Sequence, residues 1–215
     1  LKVDQFRPRT DEIAAKPTFV IRFNDYIDDD AVRSYETGTL SSGAISRGGW
    51  AEYVMTDKKL VWTARSSMPT GLEASFALTD SFKSITGSPL KAQAPLGTFQ
   101  VTDRKPSLPG PSTESPTWSD VEAIFERRCA ECHADPDWEL NPLTRESMVG
   151  VLSDQVDRYL IRLYDPADSY LMQKLLWDYP DRRLEPQPPA WAGGEQLPRE
   201  ELLTIERWIG AGAPK

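Results

Sequence analysis

Every cysteine and histidine of the chain lies within five consecutive residues, Cys129-Ala130-Glu131-Cys132-His133. Two thiols three residues apart, followed at once by an imidazole, support three chemistries. A dithiol pair can run thiol–disulfide exchange, but that use needs a βαβ setting, which no pattern around the motif supplies. Zinc takes four ligands, and no other Cys or His exists to complete such a set. The third chemistry is covalent haem, because C-x-x-C-H is the c-type attachment signature. Thiols at this spacing reach the two vinyl groups on one porphyrin edge, and the next residue turns its imidazole under the iron. The reading is one haem c, held through Cys129 and Cys132, with His133 as the proximal iron ligand.

A helix must deliver that pentapeptide in a fixed orientation. Ser119-Asp120-Val121-Glu122 reads as a capping box, a Ser N-cap with Glu three residues on. Val121, Ile124 and Phe125 then form one apolar stripe at i, i+3 and i+4, and the helix runs straight into Cys129. A second helix is expected from Pro166, with Leu171 and Leu175 on its stripe. A last helix is expected from Pro198 to Gly210, with Glu200 and Glu201 in its first turn. Its stripe is Leu202, Ile205 and Ile209, with Trp208 alongside. Arg158–Tyr164 reads equally as strand or helix.

Upstream the pattern is β. Phe19, Ile21 and Phe23 alternate with Val20 and Arg22, the period of a strand with one buried face. Similar runs follow at Trp50–Val54, Leu60–Thr63, Leu72–Leu78 and Thr98–Val101. Turn chemistry separates them: Ser41-Ser42-Gly43, Arg47-Gly48-Gly49, Pro69 with Gly71, and Gly87 with Pro89. Short strands at this spacing predict a β-sandwich. Between the two patterns, residues 105–117 carry four prolines, which favour extended backbone and forbid a regular ladder or helix. The expectation is therefore multidomain: an all-β sandwich over 1–104, a Pro-rich linker over 105–117 and an all-α haem domain over 118–215.

Composition narrows the function classes. With 33 acidic against 25 basic residues the net charge is −8, so a nucleic-acid backbone is not an expected partner. That charge keeps the chain soluble, and an acidic face also suits a basic redox partner. No apolar run approaches the ~18 residues of a membrane span. Leu1 is followed by polar and charged residues rather than a signal sequence. A cleaved leader, and with it a lipid anchor to a membrane upstream of Leu1, is compatible with this opening. Asp28-Asp29-Asp30 reads as a solvated turn, with a calcium site as the alternative. With the only His assigned to iron, a Ser-His-Asp triad is excluded, and a self-contained enzyme is not expected.

Pro17–Asn24, Tyr26-Ile27-Asp28, Leu60–Thr63, Leu72–Asp80 and the closing Thr98-Phe99-Gln100-Val101 resemble the bacterial Ig-like domain of S-layer and other surface proteins. The likeness spans about residues 15–103 and implies a spacer or adhesion module. Val121–Cys129, Asp165–Leu171 and Leu202–Ala213 resemble class I cytochrome c domains, with Trp208-Ile209-Gly210-Ala211-Gly212-Ala213 matching a C-terminal "W-I-x-x-G-A" helix that crosses the N-terminal one. That likeness covers about residues 117–214. It implies a Pro carbonyl accepting the proximal His N–H, for which Pro142 is best placed, with the alternative that Pro142 only turns a loop. It also implies a distal Met in an "M-P-P" turn before the last helix.

Here the sequence departs, reading Gln187-Pro188-Pro189. Gln187 through its amide oxygen, Met172 on the preceding helix, or an open, water-bound or externally completed position then take the sixth coordination place. Met148 is the other Met of that half, and bis-His ligation is excluded. A hard amide oxygen favours ferric iron, so it predicts a lower reduction potential than His/Met ligation, within the ~0.8 V that axial ligands span. An open position would bind CO or NO. The expected function is electron transfer outside the cytoplasm, in the periplasm or at the cell surface, between redox protein partners. The alternatives are a structural haem subunit of an envelope assembly and a haem-based ligand sensor or weak peroxidase.

Overall fold

Among the described residues, eight strands use the β-forming residues between positions 3 and 102: β1 (Val3–Arg7), β2 (Glu12–Ala14), β3 (Thr18–Phe23), β4 (Gly38–Ser42), β5 (Ile45–Val54), β6 (Lys59–Ala64), β7 (Glu73–Leu78) and β8 (Gly97–Thr102). A one-turn helix, α1 (Asp30–Arg33), interrupts them. The computed structural model describes residues 1–28, 30–33, 37–91, 95–105, 108, 115–134, 143–180 and 185–215, with the side chains of 31 and 33 excepted. The chain divides into two compact units, Leu1–Ser112 and Thr113–Lys215.

The strands of the first unit form one sheet in the order β1-β3-β6-β5-β4-β7-β8-β2. All neighbours are antiparallel except β2 and β8, which run parallel. The two-sheet Ig-like sandwich is therefore corrected to a single curled mixed sheet. The reason lies in β5. Its first residues pair with β4 up to Gly48, opposite Thr39, and from Gly49 to Val54 it pairs with β6. Arg47-Gly48-Gly49, expected as a turn, thus lies inside a ten-residue strand that joins both halves of the sheet. Gly49 permits this because a Cβ there would sit 2.2 Å from the Trp62 ring. Curling brings aromatic residues from distant strands together. Phe19 lies 4.3 Å from Phe76 and 5.4 Å from Phe99 between ring centroids, and Trp62 lies 4.8 Å from Phe76. Each such pair contributes about 0.5–1.5 kcal/mol beyond its buried area. In β3 the predicted alternation holds, with Phe19, Ile21 and Phe23 buried.

Among the described residues of the second unit, α2 (Trp118–Arg128) and α6 (Arg199–Gly210) are the two helices longer than two turns. Between them lie α3 (Ala130–His133), α4 (Arg145–Met148) and α5 (Tyr170–Leu175), of four to six residues. Isolated bridges join Val149 to Ile161 and Leu152 to Tyr159, which accounts for the Arg158–Tyr164 segment. The expected all-α cytochrome c domain is corrected accordingly: the described residues form few, short helices joined by irregular chain, not a distinct all-α domain. Side-chain competition for the backbone shows why at Pro166. There Asp165 Oδ1 accepts the Asp168 N–H and Ser169 Oγ donates to the Asp165 carbonyl, so a turn replaces the first helical turn and α5 starts only at Tyr170.

Helices α2 and α6 pack through buried Val121, Ile124 and Phe125 on one side and Leu202, Ile205, Trp208 and Ile209 on the other. Trp118 sets the start of α2, because its ring lies 5.5 Å from that of Trp208. The cap therefore falls at Thr117, not Ser119. The Thr117 N–H and hydroxyl both donate to Asp120 Oδ2 at 2.8 Å, and these bonds hold the Asp120 carboxyl below its ordinary range. Residues 135–142, and with them Pro142, lie outside the described residues, as does most of 105–117.

Candidate functional site

Helix α2 ends at Cys129, whose N–H donates to the Phe125 carbonyl at 2.8 Å. Cys129 leaves helical geometry with φ −126° and then opens α3, its carbonyl accepting the N–H groups of Cys132 (3.2 Å) and His133 (2.9 Å). Cys132 and His133 therefore stand three and four residues on, the positions that neighbour Cys129 across one turn. Cys132 is exposed, while Cys129 and His133 are half-buried.

His133 lines a groove of about 220 Å³ with Phe125, Ala130, Ala134 and Leu143, and with the carboxylates Glu122 and Glu126. The two Glu are spaced i, i+4 on α2, which puts them on one helix face. The sequence gives Glu122 a capping role only and Glu126 none, although their spacing is plain in it. Glu201 of α6 receives Arg128 in a two-pronged pair (3.0 and 3.1 Å) and Arg127 at 3.4 Å. Burial alone would raise the Glu201 carboxyl, but the bonds and charges of Arg128 and Arg127 carry it below its ordinary value.

The thiol electrostatics bear on which chemistry the motif suits. Burial, the neighbouring Cys132 and the Glu201 charge push the Cys129 thiol up to about 11, against a lowering pull from Arg128. Cys129 also caps the C-terminus of an eleven-residue helix, the negative end of its dipole. Dithiol catalysts need the opposite, a thiol lowered by a helix N-terminus or nearby cations. Among the described residues, no group of three His, Cys, Asp or Glu side chains is placed to hold a bare metal ion. A haem fits this donor set, because its two anchoring sulfurs bond to carbon and only the imidazole meets the iron.

The distal candidates sit elsewhere in the unit. The Gln187 N–H donates to the Lys174 carbonyl at 2.8 Å and its own carbonyl accepts Trp177 Nε1 at 3.3 Å, with a cis bond to Pro188. This ties the turn to the end of α5 and leaves the Gln187 side chain half-buried. Met172 and Met148 are fully buried. None of the three lines the His133 groove. Asp28, from the acidic turn, pairs with Lys83 at 3.0 Å, and Asp29 lies outside the described residues. Among the described residues no helix is long and apolar enough to cross a membrane.

No protein-family profile matches the chain, and no curated protein matches it. Among solved structures, it is similar to domains 1–6 of the surface layer protein SbsC, at 16% identity and a TM-score of 0.33, over 54% of this chain and 15% of that one. The N-terminal part of the bacterial S-layer protein SbsC matches at 16% identity and a TM-score of 0.33, over 54% and 25%. A further structure of this S-layer protein matches at 15% identity and a TM-score of 0.33, over 54% and 15%. The chain thus spans 15–25% of the length of these structures, and its structural neighbours are S-layer protein domains.

Proposed function

We propose that the second unit carries one covalent c-type haem and passes single electrons between protein partners outside the cytoplasm, with the β-sheet unit as spacer or docking module. The observation that carries this reading is the placement of the chain's only two thiols and only imidazole within one turn, with the imidazole lining a groove that also holds Phe125, Leu143, two alanines and two glutamates. Cys129 and Cys132 would hold the porphyrin by adding S–H across its vinyl C=C bonds, a step without net oxidation. His133 would hold the iron, and Phe125, Ala130, Ala134 and Leu143 would shield one face from water. The bound group supplies a one-electron couple, and the protein sets its potential through axial ligand, charge and burial. Haem c is attached outside the cytoplasm, so the reading implies the periplasm or cell surface.

Export of the chain together with a haem c attachment system tests it. The expected result is a denatured chain heavier by one haem, with the alkaline pyridine spectrum of a two-thioether haem. The Cys129→Ala/Cys132→Ala variant loses both signals. An exported wild-type chain without covalent haem overturns the proposal. The oxidised spectrum of the same sample then separates the distal ligands. A weak far-red band marks thioether ligation by Met172 or Met148, whereas its absence with ready CO binding to the ferrous form favours Gln187 or an open position.

A further inference from the structure

The groove beside His133 is otherwise apolar, yet α2 contributes two carboxylates to its lining, Glu122 and Glu126. The nearest cations on the same helix do not face them alone. Arg127 and Arg128 are both drawn to Glu201 on α6, at 3.4 and 3.0 Å. The helix thus sorts its charges: its arginines are tied to Glu201 of α6, while among the described residues Glu122 and Glu126 show no ion pair. Resting on the haem reading above, we propose that Glu122 and Glu126 act on the iron as fixed negative charges that hold it toward the ferric state. Oxidation adds one positive charge to the haem, and nearby carboxylates stabilise that charge by Coulomb attraction. Both Glu side chains are exposed at the groove, so water and salt screen the effect, and its signature is a dependence on ionic strength.

The test is the midpoint potential of the haem-loaded full chain by spectroelectrochemistry, at low and high salt. Glu122→Gln and Glu126→Gln each raise the midpoint, and together they raise it by roughly the sum. The rise shrinks as salt increases, while the visible spectrum stays that of the wild type. Glu122→Asp and Glu126→Asp, which keep the charge, stay close to wild type. Glu200→Gln, in the first turn of α6 and paired with Arg199, leaves the midpoint unmoved. A double Gln variant with haem attached and a wild-type midpoint at low salt overturns the inference and leaves the haem reading standing. So does a shift accompanied by a changed spectrum, which would trace it to a new ligand. A wild-type chain without covalent haem overturns both.

Discussion

Gly48 and Gly49 are adjacent and chemically identical, yet the fold treats them oppositely. A Cβ on Gly48 would meet nothing within 4 Å, whereas one on Gly49 would enter the Trp62 ring. Gly49→Ala is therefore expected to destabilise the β-sheet unit by about 1–3 kcal/mol through overpacking. Gly48→Ala, at a φ outside the left-handed region, shifts it by less than about 1 kcal/mol and toward greater stability. Urea unfolding followed by tryptophan fluorescence compares the two. Sequence reading took both glycines for a turn, because the demand on Gly49 comes from a residue thirteen positions away. The placement of Cys129, Cys132 and His133 within one turn is legible for the converse reason, since their spacing is local. One property of that site was not legible. With its thiol at about 11, Cys129 in the haem-free chain is about 0.1% thiolate at pH 8, and only thiolate alkylates. Iodoacetamide at pH 8 should label exposed Cys132 well before Cys129, with Cys129 catching up as pH approaches 11. Equal rates in the Cys129→Ala and Cys132→Ala variants at pH 8 would refute this.

Helix and strand boundaries show where propensity yields to packing. The Ser119/Glu122 signature was a valid capping box on paper, but Trp118 reaches Trp208 only if it is already helical. The cap accordingly moved to Thr117 and Asp120. Helix α6 began at Arg199 after Pro198, as its sequence indicated, because Pro, acidic first turn and apolar stripe agree there. Strands β1, β2 and β4 escaped notice. They are short, and β2 gains its ladder only from β8, whose partner residues lie nearly ninety positions on. Between α2 and α6, Glu201 binds two arginines with its side chain 17% exposed. Its carboxyl is lowered in the folded chain, so its contribution is full above the unfolded carboxylate value, ~4.3, and is lost as pH falls through the folded value. Glu201→Gln should lower the stability of this unit at pH 7 by about 0.2–1 kcal/mol, since the arginines are solvent-screened. The deficit should shrink in high salt and disappear once pH has fallen below the folded value. Thermal melts of the two proteins across pH and salt measure this, and a deficit constant with pH would show that the loss is packing, not charge.

At the scale of the molecule, the two units differ in how they stabilise themselves. Leu1–Ser112 surrounds one continuous aromatic and aliphatic core, with Phe19, Trp62, Phe76 and Phe82 fully buried. Among the described residues of Thr113–Lys215 there are two packed helices, three helices of four to six residues and irregular chain. The sequence disclosed which half was β and which held helices, because period 2 and period 3.6 are local signals. It did not disclose whether the strands close as two sheets or one, since that depends on β5 running unbroken through Gly48 and Gly49. Nor did it disclose how little of the second unit is helical. A covalent haem would stay on the chain in both states, so it would stabilise the second unit through the packing and iron ligation present only when that unit is folded, and would add nothing to the other. Calorimetry of the haem-loaded chain should therefore resolve two transitions. In the Cys129→Ala/Cys132→Ala chain, the transition of the second unit moves to lower temperature while that of the β-sheet unit stays in place. The Gly49→Ala substitution should do the reverse, lowering only the β-sheet transition. Both variants moving a single shared transition would show that the units unfold as one cooperative body, and the β-sheet unit would then be part of the haem site's support rather than a spacer.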